Sequence, residues 1–324
     1  MVILLEGRGM RQRRSDHDVT NSIKTTDAPA VAAEVRRIYL DLFRKADLAT
    51  LDRSFIDFAT LYAGENPAYH ACDTGYHDVQ HVLDVTLAMA RLLHGYQRAG
   101  RDSIDARLFC FGVILALYHD CGYIRHRRDA RHTNGAEYTL THVSRGARYL
   151  RSYLPQLGMA DLVPAATRVI HFTGYEIPIG KIRVPQPVFR VIGNLLGTAD
   201  ILGQMADRCY LEKCHDRLFP EFELGGVARR RNANGVEEIV FASAGDLIAK
   251  TPAFYETAAN RLDALLEAAY RYAEPHFGGH NYYVEAVEQN ISYARQVGAV
   301  GHKEKLRRQP PRVSPASQGR LQFS

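Results

Sequence analysis

From Leu108 to Tyr118 the chain reads LFCFGVILALY, a run in which Gly112 alone is neither apolar nor aromatic. Such a run predicts a helix buried on nearly all sides. It ends directly in His119-Asp120. Burying an imidazole and a carboxylate is costly unless a partner or an ion meets them. The chain must therefore fold around this helix and supply something at its end.

The rest of the sequence is patterned for helices. AVAAEVRRIYLDLFRKA (30–46) places Val31, Val35, Ile38, Leu42 and Phe43 on one helical face. Similar patterns predict helices over about 51–63, 78–97, 104–119, 135–153, 161–172, 187–207, 246–274 and 281–297. One region differs: GVARRRNANGVEEIVFAS carries Asn234-Gly235 between two short segments, which predicts a small hairpin or loop near 225–243. No repeat or linker interrupts 31–300. The expectation is one all-α, multi-helix domain over 31–300, with disordered tails at 1–30 and 301–324.

Charge excludes one class of function. The net charge is +5, yet the last 24 residues hold six Lys/Arg against one Glu, and the first thirty hold five against four acids. The body is therefore close to neutral, unlike a surface built to neutralise phosphates along a nucleic acid. General nucleic-acid binding by the core is not expected. The five cysteines contain no CxxC pair, so neither a disulfide framework nor a thiolate zinc site is expected. Apolar runs are too short for a bilayer, which needs roughly 18 residues. MVILLEGRGMRQRRSDHD lacks a positive region ahead of its apolar residues and makes a poor signal peptide, with Met10 as an alternative start. A cytoplasmic protein without membrane contact is expected.

Fourteen histidines invite sorting by neighbours. In TGYHDVQHVLDVTLAMARLL, His77 and His81 lie four apart with Asp84 three further on, so one helical face can present all three. His119-Asp120 closes the buried helix, with Gly122 as its stop. In GNLLGTADILGQMADR, Asp200 sits among Leu195, Leu196, Ala199, Ile201 and Leu202, and needs a partner as much as Asp120 does. A divalent ion would remove the burial cost by taking imidazole nitrogens and carboxylate oxygens as ligands. Ordinary hydrogen-bonded histidines and an Asp–Arg pair are the bland alternatives. His17 and His302 fall in the tails, and His94, His126, His215 and His280 stand among polar neighbours. Arg125, Arg127, Arg128 and Arg131 could meet a phosphate, although a solvated loop is the simpler reading.

The order H…HD…D within an all-helical domain resembles the HD-domain metal-dependent phosphohydrolase superfamily. YHDVQHVLDV (Tyr76–Val85) is similar to the YHxxxHxxDV segment of class I cyclic-nucleotide phosphodiesterases. The resemblance spans roughly 70–210. It implies that His81, His119, Asp120 and Asp200 hold a first metal, that Asp120 bridges to a second, and that His77 protonates the leaving alkoxide. It also implies that Asp84 supports a ligand histidine from behind. His142, in HVSRG, resembles the HPxxG histidine of bacterial two-metal relatives but lacks the proline; His171 matches a position where those relatives carry a histidine pair, with Phe172 here as the second residue. Both are candidate ligands of the second ion or else buried, site-lining histidines. His132 and Glu137 are further candidates. The phosphodiesterase continuation HDxxHPG is absent, since the chain reads HDCGYIRHRRD, which leaves nucleotide specificity open.

The expected function is phosphoester hydrolysis, with a cyclic nucleotide as the leading substrate, two divalent ions (Mn, Mg, Zn or Fe) and His77 as general acid. Three rivals stay open: a nucleoside mono- or triphosphate hydrolase, an HD-type di-iron oxygenase, and a metal-bearing nucleotide sensor without turnover. The partner expected in every case is a small molecule. Oligomeric state cannot be read from the sequence.

Overall fold

The computed structural model describes residues 13–101, 104–231, 235–298 and 305–313. Its described residues are mostly helical, with one short two-stranded hairpin. The helices are α1 Ala28–Leu42, α2 Ala49–Tyr62, α3 Val79–Arg98, α4 Ala106–Tyr118, α5 His142–Tyr153 and α6 Val163–Val169. They continue with α7 Pro187–Met205, α8 Tyr210–Lys213, α9 Phe219–Leu224, α10 Ala244–Asn260, α11 Ala273–Phe277 and α12 Tyr282–Gly298. α3 is the hub, packing on α7, α4, α1 and α11. Gly203 of α7 permits this closeness, because a Cβ there would stand 2.8 Å from Val85 Cγ2.

α4 is the buried helix its composition demands, with every residue from Phe109 to Tyr118 buried. Asp105 caps its start by accepting from Leu108 N at 2.8 Å. Its end differs in detail from expectation. The helix stops at His119 and Asp120 leaves helical geometry (φ −103°, ψ 5°), before one 3₁₀ turn over Cys121–Tyr123. Gly122 is needed there for a close approach rather than a left-handed φ, since a Cβ on it would overlap the His142 carbonyl.

The hairpin falls inside the expected region, pairing β1 Arg229–Arg231 with β2 Glu237–Ile239. Two long helical expectations are broken. Over 135–153 a 3₁₀ turn at Gly135–Tyr138 precedes α5, because Asn134 and Glu137 form a capping box that opens a new element. Over 246–274 the chain breaks where Glu267 and Ala268 adopt positive φ, 55° and 51°.

The tails also differ from expectation wherever the structure describes them. Residues 13–27 lie packed on the domain: Asp18 pairs with buried Arg91 at 2.6 Å, and Arg13 Nη2 donates to the Ala206 carbonyl at 2.5 Å. Residues 305–313 are likewise held. Arg308 Nη1 donates to Asn290 Oδ1 at 2.6 Å, and Arg217 Nη2 donates to the Pro311 carbonyl at 2.6 Å. Polar composition misled here because these residues meet polar groups of the domain, the Arg91 guanidinium and neutral carbonyl and amide oxygens among them, instead of solvent. The remainders of both expected tails lie outside the described residues. Among the described residues no helix is long and apolar enough to cross a membrane.

Candidate metal centre

Three helices converge on one point. α3 begins at Asp78, whose carboxylate accepts from His81 N at 3.0 Å and so fixes the turn that carries His81. α4 delivers His119 and Asp120 at its end, and α7 delivers Asp200 from mid-helix. His81 Nε2 and His119 Nε2 stand 3.4 Å apart. Asp120 Oδ2 lies 3.3 Å from the former and 3.1 Å from the latter. Asp200 Oδ1 completes the group at 3.5 Å and 3.7 Å from the same two nitrogens.

The manner of approach is informative. Asp120 Oδ2 is buried and makes no hydrogen bond, although two imidazole nitrogens are close. His119 Nδ1 lies 2.8 Å from the Ala116 carbonyl, to which it donates, leaving the Nε2 lone pair turned into the cluster. Ligands about 2.1 Å from one ion sit roughly 3.0–3.4 Å apart in octahedral or tetrahedral geometry. The observed spacings match or slightly exceed that range, and His81, His119 and Asp200 together could hold a metal ion. The donor set, two imidazoles with carboxylates, suits Zn²⁺, Fe²⁺ or Mn²⁺. Electrostatics agree. Burial alone would lower the His119 pKa, but Asp120 and then Asp200 lift it to about 9. Without a cation the cluster would therefore recruit a proton, and a divalent ion can take that proton's place.

Beside the cluster, His77 Nδ1 lies 2.5 Å from Glu221 Oε2, and the other Glu221 oxygen accepts from Tyr76 N at 2.5 Å. Burial opposes charge on His77, but Glu221, and more weakly Asp120 and Asp200, raise its pKa overall. Glu221 thus favours the protonated form of the imidazole, with Nε2 left for another partner. The rings of His77 and Tyr123 stack at 4.5 Å, and Tyr123 stacks on His142 at 4.3 Å.

His142 also reaches the site. Its Nδ1 donates to the Thr139 carbonyl at 2.7 Å, and its Nε2 faces the second oxygen of Asp120 at 3.6 Å. Burial lowers its pKa, outweighing the pull of Asp120, so it presents a neutral nitrogen. His171 is buried but turned to Glu176, whose Oε1 lies 3.0 Å from its Nδ1. Glu176 is close enough for its charge to act on His142. Tyr175, between them in sequence, is 61% exposed. Beneath its ring, 4.1 Å from the centroid, sits the Arg261 guanidinium, which donates to the carbonyls of Phe172 and Gly174.

Three sequence candidates lie elsewhere. Asp84, expected behind a ligand histidine, instead faces Asp207, Lys213, Thr25 and Arg13, where burial and then the Asp207 charge push its pKa well above the carboxylate range. It points along α3 to a different polar cluster. His132 pairs with Asp129 at 3.0 Å, and Glu137 serves the capping box. The carboxylate that stands behind His77 is Glu221. It gave no sequence signal, because FPEFEL is an unremarked amphipathic turn far from any motif. Asp78 did carry one, as an N-cap residue three before His81. Set against known proteins, the chain matches no family model, no curated protein and no solved structure.

Proposed function

We propose that this protein is a metal-dependent phosphohydrolase that cleaves a phosphoester, with a cyclic nucleotide as the leading substrate class. The observation that carries the reading is the buried, hydrogen-bond-free Asp120 Oδ2 among His81, His119 and Asp200, with the Glu221-backed His77 beside it. The resemblance of Tyr76–Val85 to cyclic-nucleotide phosphodiesterases supports the substrate class. Metal bound there would supply Lewis acidity, neutralising phosphoryl oxygens and lowering the pKa of water towards about 7.

The chain's own residues supply the rest. His77, charged because Glu221 accepts at Nδ1, gives a proton from Nε2 to the departing ester oxygen. Glu221 both orients the ring and restores its preference for the proton. His81 and His119 offer neutral nitrogens, and Asp200 and Asp120 balance the charge of the cation. His142, with the free Nε2 that faces Asp120 Oδ1, and His171 with Glu176 are the residues that would hold a second ion. Tyr175 offers an exposed ring face on which a flat substrate group can lie.

The test is metal analysis of purified protein with hydrolysis of bis(4-nitrophenyl) phosphate in the same samples, wild type beside Asp120→Ala. Bound Mn, Zn or Fe, with activity lost together with metal in the variant, is expected. Metal-free wild type that stays inert after Mn²⁺ is added would sink the reading. Iron with O₂ uptake and no hydrolysis would replace it with the oxygenase alternative.

A further inference from the structure

A second hollow adjoins the same turn without including any of the clustered histidines. It has a volume of about 490 Å³ and is walled by α2, the 66–69 loop, the turn after Asp120, and α5. That volume lies within the roughly 300–1,000 Å³ typical of small-molecule sites. Its lining is unevenly charged. Three guanidiniums, Arg53, Arg145 and Arg148, face one carboxylate, Asp57. Asp57 is already taken, accepting from Arg53 Nε at 2.7 Å and from the Tyr153 hydroxyl at 3.1 Å.

Among the described residues Arg145 and Arg148 are thus left without a paired anion. Arg145 spends Nε and Nη2 on the neutral carbonyls of Gly122 and Ile124, at 2.6 Å and 3.1 Å, and lays its plane on Tyr138 at 3.4 Å. Asp129, the carboxylate that acts on it from a distance, is engaged by His132 and the Tyr138 hydroxyl. Arg148 is exposed and makes no hydrogen bond or ion pair among the described residues. The two lie three apart on α5, so their heads project from one face. Burial first, and then the neighbouring Arg148 charge, lower the Arg145 pKa. Next to them are aromatic walls: Tyr69 and Tyr149, with ring centroids 5.9 Å apart, and His126 against Tyr69 at 5.2 Å.

Two guanidiniums one turn apart match a single dianionic group, and Arg pairs with phosphate in bidentate fashion. The tyrosine faces beside them suit a flat ring. We infer that this hollow is a binding site for a small organic phosphate carrying a planar ring, separate from the metal centre. The site is also wired to that centre. Arg145 holds the carbonyls of the turn that follows Asp120, and the turn's Gly122 rests on the His142 carbonyl. An occupant that draws on Arg145 would therefore pull on the backbone next to Asp120 and His142.

The inference does not depend on phosphohydrolase activity, and its test is calorimetric. Adenosine 5′-monophosphate, with one phosphate near −2 and one flat ring, is titrated into the full-length protein, Arg148→Glu and His81→Ala. His81 belongs to the metal cluster and lines no part of the hollow. Wild type and His81→Ala should bind alike in the micromolar to millimolar range, and Arg148→Glu at least about tenfold more weakly with an unchanged circular dichroism spectrum. Inorganic phosphate should bind wild type about tenfold more weakly than the nucleotide, because it has no ring to stack. Wild-type affinity in Arg148→Glu, binding abolished by His81→Ala, or no binding to wild type at millimolar nucleotide would each overturn the assignment.

Discussion

The Nδ1 of His77 lies 2.5 Å from a carboxylate oxygen of Glu221, although 144 positions separate them in the chain. Glu221 also receives the Tyr76 amide, so a single buried acid both fixes the backbone before α3 and raises the pKa of its neighbouring ring. Glu221→Gln keeps the shape and removes the charge that holds His77 protonated. The alkaline limb of the activity profile should then move to lower pH, because a pKa raised by Glu221 falls back when that charge is lost. An ester with an alkyl leaving group should lose about tenfold or more in kcat at pH 8, within the 10²–10⁴ that general acid catalysis contributes. A 4-nitrophenyl ester, whose leaving group scarcely needs a proton, should lose far less. Equal losses on both esters would remove His77 from the role of acid.

Asp120→Asn removes a charge that both the ion-free fold and the ion use. Against burial, the carboxylate raises the His119 pKa to about 9, so at neutral pH it stabilises the ion-free fold as the partner of a protonated ring. The variant should therefore unfold at a lower temperature than wild type in EDTA. With Mn²⁺ in excess the gap should widen, since an ion at about 100 times its Kd adds about 2.7 kcal/mol to the fold that binds it. Differential scanning fluorimetry with and without metal reads both halves. A wild type indifferent to divalent ions would speak against a metal at this cluster.

Much of this is legible in the sequence. The all-apolar α4 announces itself by composition, His119 and Asp120 stand out at its end, Asp200 stands out as a carboxylate within an apolar helix, and His81 is marked by its spacing from His77. The site's supporting residues were not legible. Glu221 and Glu176 sit in ordinary amphipathic or loop sequence and acquire meaning only when the chain brings them to His77 and His171. Asp84 misled for the complementary reason. Its spacing from His81 was right, but three residues along a helix turn a side chain by about 300°, and its carboxylate meets Asp207 and Lys213 instead. The packed stretches at 13–27 and 305–313 were misread because composition records polarity and not the partner that answers it, a buried charge for Asp18 and neutral oxygens for Arg13 and Arg308.

Asp18 illustrates that last point and can be tested. Burial pushes its carboxyl up, but the Arg91 guanidinium, the Thr20 hydroxyl and the Ile23 amide outweigh burial and hold it below the ordinary range. A carboxyl depressed in the fold stabilises above its unfolded value near 3.9 and loses that contribution as pH falls through the lower folded value. Asp18→Asn strands Arg91, 2% exposed, without its counter-charge and should cost about 3–5 kcal/mol at pH 7. The gap to wild type should narrow as pH falls below about 4. Urea unfolding at several pH values measures it, and a constant gap would show that the charge plays no part.

Tyr175 should act on substrate binding more than on chemistry. Its ring is held from below by a buried arginine that itself spends two donors on the backbone of the same loop. Tyr175→Ala should raise KM for a base-bearing ester by about five- to tenfold, with kcat within about twofold, as stacking of about 1 kcal/mol implies. Tyr175→Phe should keep wild-type values. A fall in kcat alone would mean that the loop positions His171 or Glu176 and does not meet substrate.

Gly122 joins the turn after Asp120 to the start of α5, and its missing side chain sets that distance. A Cβ at this position would overlap the His142 carbonyl and crowd Gly146 N at 2.9 Å, both of them backbone that cannot rotate away. Gly122→Ala must therefore push α5 off the turn, at about 1–3 kcal/mol for overpacking. Since His142 opens α5, its nitrogen would move from Asp120 Oδ1 while His81, His119 and Asp200 stay in place. The variant should then fold with a lower melting temperature and retain a first ion, but bind a second one at least about tenfold more weakly, as loss of one ligand contact implies. Metal stoichiometry measured at limiting and saturating Mn²⁺ distinguishes this from general unfolding, which would release both ions together. An unchanged stoichiometry, with stability reduced, would leave His142 as a neutral partner of Tyr123 and nothing more.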